Sequence, residues 1–354
     1  MTPSTLRLRV LAAIGASGLA VLSAEACGSS SSPAEHADAS ADGGGDAASE
    51  GSAVDSSSVA SEAGNDAATD AAPDRLSVRR PLLAGASLRR ASPVPREDWL
   101  ADCAETAPAD VDASTLAALA RAYGLDGCEE HASVAAFARL TLHLLSAGAP
   151  PELVEMAHRA SLDEIRHART CFALARRYGG APLGPGPLKL DGLFSGAHAS
   201  LEATLPEIAA LCAEEGCVGE TLGVLLASDA LARARDPFVR EVLTRMLDEE
   251  ASHVELAWRV VSWCITQGGE PVRRAVAHAI GRGVVATRAT EVRLYAGVDV
   301  DAWNEHGRVT CEQARAVAER GIREVIEPCA RVLLEAGPAK PDSNVRLAQV
   351  AQPS

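Results

Sequence analysis

The side chains with the clearest chemical capacity are carboxylates and imidazoles that occur in two matching sets. Each set has a lone glutamate followed by a Glu-x-x-His motif, 34 residues later in the first set and 30 in the second. The first set is Glu130, Glu164 and His167, and the second is Glu220, Glu250 and His253. A single Glu-x-x-His motif is weak evidence, whereas two motifs with matched upstream glutamates indicate one common site.

The spacing within each motif suits an α-helix. Residues three apart on a helix lie one turn apart on the same face, so the Glu and the His of each motif point the same way. The lone glutamate reaches the same height if the two helices form a tight hairpin. Two such hairpins would bring four carboxylates and two imidazoles to one place, the ligand set of dinuclear carboxylate bundles.

The charge of this set favours metal binding. Four carboxylates on apolar helix faces would repel one another and resist desolvation, and two divalent cations would balance them. Hard oxygen ligands with one imidazole per ion suit iron or manganese better than thiolate-seeking metals. We therefore predict a site for two Fe ions, with Mn as the alternative. The competing interpretation is a metal-free helical bundle whose acids align by coincidence.

Glu129 competes with Glu130 for the first ligand position. The helical face of Glu129 is less apolar than that of Glu130. Asp126 and Glu129 also have the spacing of a capping box, which would hold Glu129 outward. The sequence therefore favours Glu130.

Four helices must position these residues. The first is predicted over about 113–147, with Gly124 and Gly127 as the points where it could break. Pro150 and Pro151 start the second helix, which ends at Tyr178-Gly179-Gly180. Thr204 caps the third, with Pro206 just inside it, and Asp236-Pro237 separates the third from the fourth.

The lengths of the connections predict the topology. Two short links give two antiparallel hairpins, and the Gly- and Pro-rich stretch 179–204 is long enough to run the length of a bundle. We therefore predict an all-α four-helix bundle with one long crossover. Additional C-terminal helices are expected over 271–289 and 311–336, with a kink at Pro328.

The two motif sets resemble the ferritin-like superfamily, in particular its di-iron oxidases and oxygenases. Two local sequences are similar to those of exported bacterial ferritin-like proteins: Glu130-His131-Ala132-Ser133 and Asp163-Glu164-Ile165-Arg166-His167. The resemblance implies that Glu164 and Glu250 bridge the two metals and that Glu130 and Glu220 are terminal ligands. It also implies that His167 and His253 complete the set, and that the centre binds O2 or peroxide and oxidises a substrate or the iron itself.

The N-terminal residues predict export. Arg7 and Arg9 precede a short apolar run, and Ala24-Glu25-Ala26 is a cleavage site. Cys27 follows directly and resembles the lipid-modified cysteine of bacterial lipoproteins, although that family has Leu where Ala24 stands and no acid at Glu25. The expected location is periplasmic, at the outer membrane or at the cell surface, with ordinary secretion as the alternative.

The predicted domain organisation has four parts. A signal peptide covers 1–26, and a disordered tether with a basic neck covers 27–95. The ferritin-like helical domain covers 96–338 and a tail covers 339–354. The net charge of −15 argues against nucleic acid or an anionic membrane as a partner, so the only expected membrane link is a lipid at Cys27. The oligomeric state stays open.

Other polar residues receive weaker predictions. Asp163, Arg166 and Glu249 either orient the ligands or belong to a solvated face. Glu214 and Glu215 are expected to be exposed. Three further histidines lie off the ligand faces and are interpreted as surface or packing residues: His131, His143 and His158. For His131, the alternative is a hydrogen bond that orients a metal ligand. Cysteines permit disulfides in an exported chain, but Cys171 and Cys264 are predicted to be buried thiols.

Three functions fit these observations. The first is an oxidoreductase that activates O2 or peroxide for a small-molecule substrate. The second is metal handling, meaning iron oxidation, buffering or storage. The third is a non-catalytic tethered bundle that keeps the site for stability, and nothing in the sequence names a substrate.

Overall fold

The chain folds mainly as helices, as predicted. The computed structural model describes residues 1–19, 80–84, 87–101, 108–191, 193, 204–289 and 297–335, which all belong to one unit. The helices are α1 (Pro3–Leu19), α2 (Ala113–Ser146), α3 (Pro151–Gly179), α4 (Leu205–Cys212), α5 (Thr221–Arg233), α6 (Pro237–Ala289), α7 (Val300–Glu305), α8 (Cys311–Gly321) and α9 (Glu327–Glu335). Two stretches have the wider π-helical turn, the first π segment (Ala213–Glu220) and the second π segment (Ile322–Ile326).

Helices α2 and α3 form the first helical pair. The Asp112 side chain caps α2 by accepting hydrogen bonds from the backbone N–H groups of Ser114 and Thr115. The helix continues through both glycines, so the break considered at Gly124 and Gly127 is wrong. Gly127 instead permits close packing, because a Cβ there would lie 2.9 Å from the Phe172 ring of α3.

The second pair is formed by α6 and the run of α4, the first π segment and α5. Thr204 caps α4, as the sequence predicted, and it forms a capping box with Glu207. Asp236 accepts a hydrogen bond from the Val239 N–H at the start of α6. Because α6 also contacts α3, the two helical pairs pack against each other.

The C-terminal helices follow a bend in α6. Gly269 has φ 63° and ψ −139°, and Pro271 comes two residues later, so the predicted helix over 271–289 is the second arm of α6. The predicted helix over 311–336 consists of α8, the second π segment and α9. A kink was expected at Pro328, and the second π segment ends at Ile326, two residues before that proline. A wider turn there can accommodate the missing N–H and the bulky ring.

Part of the predicted neck packs on the helices. Strands β1 (Leu83–Ala84) and β2 (Ser87–Leu88) pair with each other, and β3 (Pro93–Pro95) pairs with β4 (Leu183–Pro185) in the long connection. Leu82 is fully buried. Residues before the predicted boundary at 96 therefore contact the helices, since Leu82 packs with Ala132 and Ala136 of α2.

The predicted signal peptide contains α1. Leu6, Val10 and Ile14 lie in the main hydrophobic core, where α1 contacts α6, the second π segment and α9. Within the described ranges, no helix combines the length and hydrophobicity needed to cross a lipid bilayer. Cys27, most of the tether and the 339–354 tail lie outside the described residues, so export and lipidation stay predictions.

Candidate metal centre

The six residues of the two motif sets meet inside the protein. Glu250, at 8% exposed, is the most accessible of them, and the others are exposed by 1% or less. Their ligand atoms form two overlapping groups, each within 4.8 Å: Glu130, Glu164, His167 and Glu250, and Glu164, Glu220 and His253. The helical pairs therefore bring together the set that the sequence predicted.

The two imidazoles present the same atom to the interior. His167 Nδ1 lies 3.7 Å from Glu164 Oε2 and 3.3 Å from Glu250 Oε1. His253 Nδ1 lies 3.2 Å from Glu164 Oε1 and 3.4 Å from Glu250 Oε2. Glu164 and Glu250 thus each face both imidazoles, and the two rings are 5.9 Å apart.

The outer nitrogens of the imidazoles bind acids of the opposite helical pair. His167 Nε2 lies 2.7 Å from Glu249 of α6, and His253 Nε2 lies 3.2 Å from Asp163 of α3. Arg166 donates to both acids and links them. Glu249 and Asp163, for which the sequence left two roles open, thus contact the histidines, and such contacts fix the ring position of a ligating histidine.

Buried charges perturb the ionisation of the cluster. Burial lowers the pKa values of His167 and His253, but the facing carboxylates outweigh burial and raise both well above the ordinary value. Burial raises the pKa of Glu250, but the two imidazoles bring it well below its usual range. Burial and the Glu250 charge raise the pKa of Glu220 well above its usual range.

The first π segment carries both Glu220 and an acid whose position the sequence did not predict. Glu215 was expected to be exposed, but it is fully buried. A π turn has more residues than an α turn, so residues five apart, such as Glu215 and Glu220, come to lie on nearly one face. The prediction that Glu215 is exposed was therefore wrong, because it assumed regular α-helical spacing.

Glu215 is paired with two buried arginines. Its Oε1 accepts a hydrogen bond from Arg139 Nη2 at 2.6 Å, and its Oε2 lies 3.5 Å from Arg80 Nε. The Arg80 guanidinium also stacks 4.8 Å from the centroid of the Phe137 ring, which is itself 5.1 Å from the His253 ring. Arg80 comes from the predicted neck, and no signal in the sequence pointed to it.

The remaining polar residues lie away from the ligand cluster. Glu129 pairs with Arg90 at 2.9 Å, which agrees with the choice of Glu130. The proposed capping box is wrong, because Asp126 is buried inside the continuous α2 and binds Arg308. His131 contacts the Trp99 ring edge-on. His143 is buried, and His158 is exposed.

Buried cysteines are numerous. Cys264 is a free buried thiol and Cys171 is buried, as predicted. The following cysteines are also free and buried: Cys128, Cys212, Cys217 and Cys329. Cys27 and Cys103 lie outside the described residues.

The donor set fits a metal ion. Within the described part of the chain, both oxygens of Glu220 are buried without a hydrogen-bond partner, and the buried Nδ1 atom of each histidine lies near carboxylate oxygens without the geometry of a hydrogen bond. Such atoms are costly unless something coordinates them. A buried group of carboxylates and imidazoles at this spacing can hold a metal ion, with the inner Nδ1 atoms as donors.

Comparisons of the chain with protein-family models, with curated proteins and with solved structures find no match in any of the three.

Proposed function

We propose that this protein is a ferritin-like four-helix bundle with a dinuclear iron or manganese centre, and that it acts as an oxidoreductase on a small molecule. One observation carries the proposal. Each buried imidazole turns Nδ1 toward Glu164 and Glu250 and gives Nε2 to an acid of the opposite helical pair. This is the arrangement expected of histidines that each hold one of two ions.

These contacts support the proposed ligand roles. Glu164 and Glu250 face both imidazoles, which supports their assignment as bridging ligands. Glu130 lies in the group of His167 and Glu220 lies in the group of His253, which supports their assignment as one terminal carboxylate for each ion. When bound, two such ions supply the electrons for activation of O2 or peroxide.

Packed side chains cover His253 on one side, and a cavity lies beside it. Phe137 covers His253, and Arg80 covers Phe137. A cavity of about 520 Å³ reaches His253 from the surface between α3 and α6. A small molecule of ordinary substrate size fits such a volume.

The first test is metal stoichiometry in the full-length chain. The protein is purified without oxygen, titrated with Fe(II), and its metal is counted before air is admitted and the absorption spectrum recorded. We expect two ions per chain and new absorption after air. Glu130→Ala and Glu220→Ala should each lose one ion, while the neighbouring controls Glu129→Ala and Glu214→Ala keep both.

The alternatives give different results. Absence of metal from the wild-type chain would refute the centre, and two ions in both ligand variants would refute the terminal roles. Many irons per assembly would indicate storage instead of catalysis. Two ions that never turn over an organic substrate would indicate iron handling or a structural site.

We also infer that the chain is exported and lipidated at Cys27, because a positive segment, an apolar run and a cleavage site precede that cysteine. Mass spectrometry of the purified protein tests this inference. A mature N-terminus at a lipid-bearing Cys27 supports it, and retention of Met1 to Ala26 contradicts it.

A further inference from the structure

The cavity beside the candidate centre has both apolar and polar lining residues. Helix α3 contributes three apolar side chains, Met156, Ala160 and Leu162, together with three charged ones. Leu162 is 57% exposed. The lining side chains of α6 are polar and include Ser252 and Arg259.

Three guanidinium groups line the cavity. The charged lining residues, apart from His253, are Arg159, Arg166, Arg259, Asp163 and Glu255. Two further acids outside the lining, Glu155 and Glu249, pair with Arg159 and Arg166. The acids therefore balance the arginines, and an anionic ligand has to be bound by the N–H donors that these pairs leave unused.

Two of these arginines keep hydrogen-bond donors for a ligand. Arg259 contacts Glu255 through Nη2 at 2.6 Å, and among the described residues its buried Nε has no hydrogen-bond partner. Arg159 contacts Glu155 through Nη2 at 3.2 Å. A guanidinium has five N–H donors in a fork that matches a carboxylate, so one such contact leaves most of them available. Arg166, in contrast, is engaged by Leu162, Asp163 and Glu249.

The floor of the cavity connects it to the candidate centre. His253 and Asp163 both line it, and their hydrogen bond of 3.2 Å is part of the network that orients the imidazole. A ligand in the cavity would therefore lie against a residue that the proposed function assigns to the metal.

We propose that this cavity binds an amphipathic organic anion. Its carboxylate binds Arg159 and Arg259, and its apolar body lies along Met156 and Leu162. The inference deepens the proposed function by naming the class of substrate, and it rests on that function only for the role of the ligand, because binding itself needs no metal.

Octanoate is a suitable probe, since it has one carboxylate and an apolar chain that fits about 520 Å³. The binding of octanoate to the metal-free full-length protein is measured by calorimetry and compared with the binding of octan-1-ol and of acetate. We expect octanoate to bind about tenfold more tightly than either, because each control lacks one of the two contacts. Added salt should weaken the binding of octanoate and leave the binding of octan-1-ol unchanged. Equal binding of octanoate and octan-1-ol would overturn the proposal.

Substitutions locate the binding site. Arg259→Gln and Arg159→Gln should each reduce the affinity for octanoate by about three- to tenfold, which corresponds to the loss of one charge-assisted hydrogen bond. Arg245→Gln is the matched control, because Arg245 is exposed on α6 and does not line the cavity. An equal loss in the control and in the cavity variants would refute the assignment.

A paramagnetic ion separates this inference from the proposed function. In protein loaded with Mn(II), the proton resonances of bound octanoate should broaden, and Glu220→Ala should reduce the broadening. Octanoate that binds without broadening in a protein shown to hold Mn(II) overturns the substrate role. A protein that binds octanoate but no metal refutes the centre and leaves the anion site standing.

Discussion

The Nε2 atom of His167 lies 2.7 Å from a carboxylate oxygen of Glu249, and this contact joins α3 to α6 at the edge of the buried cluster. His253 of α6 makes the reciprocal contact with Asp163 of α3 at 3.2 Å. Arg166 draws the two acids together from the surface. Each helix therefore supplies one imidazole to the interior and one acid to hold the imidazole of the other helix.

Loss of these outer acids should weaken metal binding without removing a ligand. Glu249→Ala and Asp163→Ala should each reduce metal affinity by about 10- to 100-fold, because the imidazole loses its fixed orientation. Competition with a chelator measures the affinity. The control Asp248→Ala changes an exposed neighbour and should have no effect. Wild-type affinity in Glu249→Ala would show that the contact does not support the site.

Removal of Glu215 should destabilise the fold. Glu215→Ala leaves Arg80 and Arg139 buried without their shared acid, which should lower the free energy of unfolding by about 3–5 kcal/mol. Glu214→Ala is the control, because Glu214 is partly exposed and pairs with Arg282 at the surface, and it should cost about 1 kcal/mol or less. Urea denaturation measures both. Similar losses in the two variants would contradict the buried network.

Without metal, the protein should lose stability as pH rises above neutral. The pKa values of His167 and His253 are raised above the ordinary 6.5, because the facing carboxylates outweigh burial. The stabilisation is therefore complete below pH 6.5 and is lost as pH rises through the raised values. The raised pKa of Glu220, caused by burial and by the Glu250 charge, acts in the same direction.

Urea midpoints with a chelator at about pH 6 and about pH 9 test this dependence. The midpoint should be lower at the higher pH, and the double variant His167→Ala, His253→Ala should have a smaller slope. A metal-free wild type that gains stability across this interval would show that the carboxylates around the two imidazoles do not hold them protonated.

Two glycines of α2 should respond differently to alanine. Gly127→Ala places a methyl group 2.9 Å from the buried Phe172 ring and should cost about 1–3 kcal/mol through overpacking. Gly124→Ala meets Leu183 at an ordinary 3.7 Å and should be neutral or stabilising by up to about 1 kcal/mol, because alanine favours helix. Thermal unfolding measures both. Equal effects would show that α2 and α3 do not approach as closely as described.

The helix ends and the ligand cluster were predictable because local chemistry determines them. Thr204, Pro151 and Gly180 mark helix ends by side-chain capping, ring geometry and a positive φ of 75° at the glycine. The i, i+3 spacing of Glu164 and His167 depends only on helix geometry. These features need no knowledge of tertiary contacts.

The missed features depend on departures from regular geometry or on contacts distant in sequence. The first π segment changes the helical phase, so Glu215 lies inside although its α-helical position was predicted to be exposed. Arg80 reaches the centre because Ser133 of α2 donates a hydrogen bond to its carbonyl, and nothing near Arg80 in the sequence indicates that contact. Helix α7 was missed because it has only six residues.

The exchange of acids between α3 and α6 limits how small a working version of this protein can be made. A peptide with only α2 and α3 would keep Glu130, Glu164 and His167, but the acid that orients its imidazole is Glu249 on the other half. Its ring would be free to rotate, and its two glutamates would face no opposing helix. Miniaturisation of the site therefore has to retain both halves, and a symmetric dimer of one half succeeds only if its interface restores the exchange.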